Sequence, residues 1–358
     1  MNKLSALIFV LTIILSLIGL FILYESSSYT ALLNLNDRFY FIKNQALYLP
    51  IGIVGALIVS RIPVKKLYVF ALPTLLITFI LLIAVFLPGI GLELKGSRRW
   101  INLGFTVFQP SELLKISLTL YLAAWLSSKE KGRLVAFLIL LGVFGGLVIL
   151  QPDLDTAFIV AITAISVYFL SGARIKEMVF MGALMAIGVA LLIVVAPYRL
   201  ERFSSFTQFS IENPTDETYH LRQIVLGVGA GGLFGVGPGN SIQKYAYLPE
   251  NTTDSIFAIY AEETGFVGSV FLVGLYVSHV LLGFYIAIRS KDMFGTLLAS
   301  GISIFLSIQA LINLSSQAII MPLAGIPLPF ISYGGSSLII NFLAIGLLMN
   351  VANQLNKK

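Results

Sequence analysis

The chain has 358 residues, of which 58% are apolar and 11% charged, and its mean hydropathy is +0.94. Soluble domains carry about 25% charged residues, so a soluble enzyme, a disordered chain and a secreted disulfide scaffold are excluded. No cysteine is present, which removes thiol chemistry and cysteine-bound metals, and two histidines, His220 and His279, leave little room for a histidine-rich metal site.

In chain order, the first apolar run lies behind Lys3 and ends near Leu23. It is long enough to span a bilayer and lacks a small-residue cleavage pattern, so it predicts a membrane helix rather than a signal peptide. Further runs occupy 46–60, 68–88, 112–127, 134–150, 156–171, 178–196, 255–288, 295–320 and 337–353. Lipid offers the backbone no hydrogen-bonding partner, so these runs must be helices. The predicted fold is an all-α polytopic membrane protein with about ten transmembrane helices, forming one integral membrane domain over 1–358. The run at 255–288 is long enough to tilt, or to begin outside the hydrocarbon.

Charge placement sets the orientation. With the N-terminus inside, the short inner pieces hold thirteen basic residues, from Lys3 to Lys358, against three acidic ones, Glu130, Glu177 and Asp292. The rest of the chain holds ten basic and fourteen acidic residues. Both termini are therefore expected on the cytoplasmic side, and the net charge of +6 is a topology signal that calls for no nucleic acid. The inner loops are too short for a nucleotide-binding domain. The outer side holds 25–45, 89–111, the turn Gln151–Asp155, a large extracytoplasmic loop at 197–254 between the seventh and eighth helices, and 321–336. The chain shows no convincing internal repeat, which counts against a repeat-built transporter.

Soluble-enzyme signatures are missing. The string Gly227-Val-Gly229-Ala-Gly231-Gly232 matches GxGxxG, but in an outer loop without strand–turn–helix context it predicts a flexible or tightly packed turn. Ionisable residues at membrane boundaries are more informative, because burying them is costly unless they are paired or wetted. Arg98-Arg99-Trp100 precedes Gln109-Pro110-Ser111-Glu112, with Lys115 one turn further. Pro110 and Glu112 mark a helix start. Glu112 and Lys115 share a helix face and either form a local ion pair or, with the arginines, bracket a diphosphate. The turn Gln151-Pro152-Asp153-Leu154-Asp155-Thr156 carries residues suited to helix capping, with cation binding as the alternative. Asp254 opens an apolar run and is crowded by Glu250, Glu262 and Glu263. It is either a cap or a general base tuned by repulsion and desolvation. Pro327-Leu328-Pro329-Phe330, running on to Ser336, breaks helix geometry as a plain turn or as a re-entrant wall of a substrate cavity.

Taken together, these four groups resemble the SEDS family (shape, elongation, division and sporulation) of bacterial membrane proteins, over roughly residues 90–350 and in family order. Arg99-Trp100 with Gln109-Pro110-Ser111-Glu112 and Lys115 is similar to RW…QPSExxK, and Gln151-Pro152-Asp153-Leu154 resembles QPDLGT. Gly232-Leu233-Phe234-Gly235-Val236-Gly237, with Leu248-Pro249-Glu250 and Thr253-Asp254, resembles GLFGxG…LPExHTD. Pro327 to Ser336 resembles PLPFxSxGGS. The chain departs from these patterns at Thr252 (family His), Ser255 (family Phe) and Asp155 (family Gly).

The resemblance implies an inverting peptidoglycan glycosyltransferase of the bacterial cytoplasmic membrane. Its substrates would be lipid II and undecaprenyl-diphosphate-linked glycan, and a class B penicillin-binding protein its partner among the membrane lipids. It places the catalytic base at Asp254 and substrate-binding roles at Arg99, Glu112, Lys115, Glu250 and Ser336. No cofactor is implied with certainty; a divalent cation such as magnesium is the candidate, with metal ligands unassigned. The segments 239–244 and 331–337 lie nearer the division-type FtsW branch than RodA. The alternatives are a lipid II flippase and a scaffold that activates the partner synthase.

Overall fold

The computed structural model describes residues 2–355 apart from 95, 105, 129–131, 196–205, 208 and 210–217. The predicted inner-loop charges at 129–131 and 357–358, and much of the loop at 197–254, lie outside the described residues. Each of the ten apolar runs falls on a helix: α1 (Lys3–Leu35), α2 (Tyr40–Val59), α3 (Val64–Ala84), α4 (Pro110–Leu126), α5 (Leu134–Leu150), α6 (Leu154–Leu170), α7 (Ile175–Val195), α9 (Ile256–Arg289), α10 (Met293–Gln317) and α11 (Gly335–Gln354). Between α7 and α9 lies a shorter amphipathic helix, α8 (Tyr219–Ala230), which buries Leu221 and Ile224. Among the described residues six helices are long and apolar enough to cross a membrane by length and composition, namely α1, α2, α3, α9, α10 and α11. The chain is a polytopic helical membrane protein.

Burial sorts the bundle. α4 buries fourteen of its seventeen residues, and α10 and α11 each bury 72% of their most apolar stretch, against 22% for α2. The peripheral helices turn large apolar side chains outward, among them Leu47, Val54, Val69 and Ile80. A water-exposed surface of that kind would aggregate, whereas in lipid it matches the solvent. Small residues let the central backbones close up: a β-carbon on Gly346 of α11 would stand 2.6 Å from the Ala56 carbonyl oxygen of α2. The backbone N–H of Asn2 donates to Asn353 Oδ1 at 2.9 Å and its side-chain amide donates to the Ala352 carbonyl at 3.0 Å, so the chain begins and ends at the same end of the bundle.

Three features depart from the sequence-based expectation. The fold is mostly but not wholly helical, because the stretch 89–111 contains an antiparallel meander of β1 (Gly91–Leu94), β2 (Ser97–Asn102) and β3 (Val107–Phe108). Leu92 pairs with Trp100 and Ile101 with Phe108. Strands this short, interrupted by a bulge at Leu92/Glu93, leave no sustained alternation to read. α1 continues past Leu23 to Leu35, because Ser26 and Ser27 are buried inside the protein rather than ending the helix. The long run at 255–288 is broken at Gly265, whose φ of 67° lies in the left-handed region. A β-carbon there would come within 2.3 Å of the Gly235 nitrogen, so the break lets the GLFGVG segment lie directly on the backbone of α9. The GxGxxG string, expected as a turn, is instead the last turn of α8: Gly227 and Gly229 lie inside the helix, and Gly231, which caps it, would clash with the Ala261 carbonyl oxygen if it carried a β-carbon.

Candidate active site

A cavity of about 790 Å³ opens at the end of the bundle opposite the termini, where Asn251 bonds the Ser26 carbonyl and Thr30 near the far end of α1. Four helices begin at its wall: α4 after Gln109, α6 after Asp153, α9 after Ser255 and α11 after Gly334. Helix starts carry partial positive charge and unpaired N–H groups, so their convergence favours an anion. Arg99, Glu112, Lys115, Glu250, Asp254 and Ser336 all line this one cavity.

α4 starts with Pro110, whose missing N–H costs nothing at that position. One turn in, Lys115 Nζ donates to Glu112 Oε1 at 2.9 Å and lies 2.8 Å from Oε2, where the geometry is that of an ion pair without a formed hydrogen bond. It also donates to Gln309 Oε1 of α10 at 2.7 Å. The two charged side chains are only 2% and 5% exposed, so the pair belongs to the cavity floor. Gln309 passes the connection on, donating to the Pro327 carbonyl at 2.9 Å.

β2 carries Arg99 to the turn between α5 and α6. Its guanidinium donates to the carbonyls of Gln151 (3.1 Å) and Pro152, and it stands 3.7 Å from Asp153 Oδ1. Asp153 caps α6 by accepting the Thr156 N–H at 3.3 Å. Burial raises the Asp153 carboxyl above its ordinary range, and the Arg99 charge works against that rise. Arg98, the other arginine expected to bracket a diphosphate, points away and pairs with Glu93 at 3.0 Å on the exposed face.

Asp254 is fixed by its backbone. Its carbonyl accepts from Asn313 at 2.8 Å and from Gln317 at 3.0 Å, both on α10. The neighbouring Thr253 carbonyl accepts from Ser332 Oγ at 2.6 Å, and the Thr252 carbonyl from the Tyr333 N–H at 2.9 Å. The Glu250 carbonyl receives the N–H groups of Thr253 and Ser255, each at 3.1 Å, while its carboxylate accepts from Thr253 Oγ1 at 2.9 Å. The half-buried Asp254 carboxylate reaches Gly325, where a β-carbon would lie 3.6 Å from Oδ2. Ser336 ties α11 to the sheet, donating to the Val107 carbonyl at 3.1 Å and accepting the Gln109 N–H at 3.2 Å.

The crowding of three acids around Asp254 is only partly realised. Glu262 turns away from the cavity and accepts from the Ser241 hydroxyl and from the N–H groups of Ile242 (3.0 Å) and Gln243 (3.3 Å). Glu263 pairs with Lys244 at 3.2 Å, and Lys244 also meets Glu25 at 3.1 Å. Both acids follow Asp254 by two helical turns, and helix geometry directs them to the face that holds the 240s loop. Two contributors escaped sequence reasoning. His220 of α8 meets Ser255 Oγ at 2.7 Å beside Asp254, a purely spatial relation. Gln309, Asn313 and Gln317 recur every four residues in an apolar helix and so share one face, a polar stripe that was available to be read.

No three His, Cys, Asp or Glu side chains converge as a metal cage among the described residues. Glu250 and Asp254 nevertheless line the cavity with carboxylates, hard oxygen ligands of the kind magnesium takes in ones and twos.

A helical membrane bundle with carboxylates, two cations and four helix starts around one cavity has the layout of a polytopic membrane enzyme. Known proteins place it further. The FtsW/RodA/SpoVE family, described as cell cycle proteins, matches residues 5–357. The chain is 38% identical to the probable peptidoglycan glycosyltransferase FtsW of Coxiella burnetii, covering 98% of this chain and 96% of that one. It is also 38% identical to the stage V sporulation protein E of Bacillus subtilis, at 97% and 96% coverage. Its fold matches a solved peptidoglycan synthase complex described as coordinating polymerization and crosslinking, with a TM-score of 0.80, 25% identity and 98% of both chains covered. It matches the rod shape determining protein RodA of Thermus thermophilus with a TM-score of 0.73, 26% identity and 98% and 97% coverage. The chain belongs to the FtsW/RodA/SpoVE family.

Proposed function

We propose that the chain is a peptidoglycan glycosyltransferase that polymerises lipid II at the outer face of the bacterial cytoplasmic membrane. The observation that carries this reading is the single cavity shared by Asp254, Arg99 and Lys115 at the end where four helices begin. The Asp254 carboxylate accepts the proton of the acceptor sugar's 4-hydroxyl as that oxygen attacks the anomeric carbon of the lipid-linked donor. The bond from that carbon to the diphosphate breaks on the opposite face, so an α-linked donor gives a β-linked product. The diphosphate leaves with the electron pair and needs charge neutralisation more than a proton.

Arg99 is the cation nearest solvent, about a quarter exposed, and its planar fork suits phosphate oxygens. Lys115 acts from the floor while it holds Glu112 and Gln309. The start of α11, with no side-chain cap, offers the N–H groups of Gly335 to Ser337 to the same space. Arg99 and Lys115 face four lining carboxylates, those of Glu112, Asp153, Glu250 and Asp254. This excess of acid favours a divalent cation arriving with the diphosphate, which Glu250 would help to hold and which would supply charge neutralisation. The likeness to a synthase complex supports work alongside a class B penicillin-binding protein. With the termini paired at the far end, that end faces the cytoplasm.

The test is to give purified protein lipid II in detergent, with and without the class B synthase, and to resolve the products by size. Glycan polymer is the expected result. Translocation of lipid II across vesicles without any polymer would instead establish a flippase.

A further inference from the structure

The segment between α10 and α11 forms the cavity wall next to Asp254, with Leu323, Ala324 and Gly325 lining it. Its two ends are well held. Ile319 to Met321 fold back onto the carbonyls of Ser315 and Ser316, and the carbonyls of Ile326 and Pro327 accept from Asn313 (2.8 Å) and Gln309 (2.9 Å). The stretch between is tied to another helix by the Gly325 N–H, which donates to Asp155 Oδ2 on α6 at 2.8 Å. Asp155 sits in the first turn of α6, where a carboxylate is favoured by the helix field. The QPDLGT pattern has glycine at this position, which has no side chain to accept that hydrogen bond.

A β-carbon on Gly325 would lie 3.6 Å from Asp155 Oδ2 and 3.6 Å from Asp254 Oδ2, so Gly325 is wedged between the two carboxylates. Resting on the glycosyltransferase reading, we propose that Asp155 is a positioning residue. It latches the 322–325 wall to α6 and thereby fixes the face against which the sugar beside Asp254 is held. The latch is exposed and joins two different parts of the chain, so it can be broken without disturbing the buried core.

Two variants separate the latch from a plain charge effect. Asp155→Ala removes the acceptor. Asp155→Asn keeps an oxygen acceptor and loses the charge. Steady-state lipid II polymerisation gives KM and kcat, and amide hydrogen exchange over 323–326 reports the wall independently of activity. Asp155→Ala is expected to raise KM roughly fivefold, the scale of one hydrogen bond, with kcat within about twofold and exchange accelerated at 323–325. Asp155→Asn should stay near wild type. Unchanged kinetics in Asp155→Ala, or an Asp155→Asn variant as impaired as the alanine, would each overturn the proposal. If the wild-type protein makes no polymer, the glycosyltransferase reading fails, while the exchange data still show whether the latch exists.

Discussion

Removing the Lys115 ammonium tests how far the cavity floor depends on one ion pair. The pair is nearly sealed, with Lys115 2% and Glu112 5% exposed, and Lys115 also satisfies Gln309 on α10. Lys115→Met keeps most of the side-chain volume but strands the Glu112 carboxylate, whose Oε2 already lacks a formed hydrogen bond, and the Gln309 oxygen. Breaking a buried pair from one side costs about 3–5 kcal/mol, so the variant should unfold at clearly lower denaturant. Lys115→Met combined with Glu112→Leu removes both charges and should recover most of that loss, because an apolar replacement of matched volume avoids the uncompensated charge. The assay is equilibrium unfolding in mixed micelles, followed by helix circular dichroism, with polymerisation measured alongside. Both variants should polymerise poorly. A single variant as stable as wild type would refute the structural half of this reasoning. A double variant with normal polymerisation would refute the functional half.

Arg99→Lys should lower polymerisation at least tenfold with the fold intact, since an ammonium cannot reproduce the fork that spans Gln151, Pro152 and Asp153; initial rates on lipid II measure this. Gly265→Ala should destabilise the protein by about 2 kcal/mol or more, from left-handed strain plus the clash with Gly235, as read from the unfolding midpoint. For Lys244, burial pulls the ammonium's pKa down, but Glu25 and Glu263 overcome it and leave the value raised above 10.5. The stability from this cluster is therefore fully present below pH 10.5 and is lost as pH rises through the folded value. Unfolding between pH 9 and about 12 should show that loss in wild type and a flatter curve in Lys244→Met.

Much of the helical framework was legible, because crossing lipid forces long apolar runs to become helices whatever their neighbours. Hydropathy could not show the break at Gly265. That break depends on a segment thirty residues earlier lying against the same backbone, which is a tertiary fact. The small sheet was hidden for the opposite reason: its strands are too short to carry a period, and their pairing is what defines them. Within the site, Pro110, Glu112 and Lys115 announced a helix start and a pair by spacing alone. In sequence Arg99 read as one of the cations bracketing a diphosphate, whereas the folded chain also ties it to the turn ahead of α6. Glu262 and Glu263 looked like neighbours of Asp254, but helix direction separates them from it. His220 and Asp155 reach the site only through folding, one from α8 and the other from the start of α6.

The most direct measurement is single-turnover glycan synthesis by Asp254→Asn beside wild-type protein of equal thermal stability. Asparagine keeps the shape and the backbone clamps from Asn313 and Gln317 but cannot take a proton from the acceptor hydroxyl. The account predicts bond formation at least a hundredfold slower, with binding of the lipid-linked donor largely retained. Polymer made at the wild-type rate would contradict it and place the base elsewhere in the cavity.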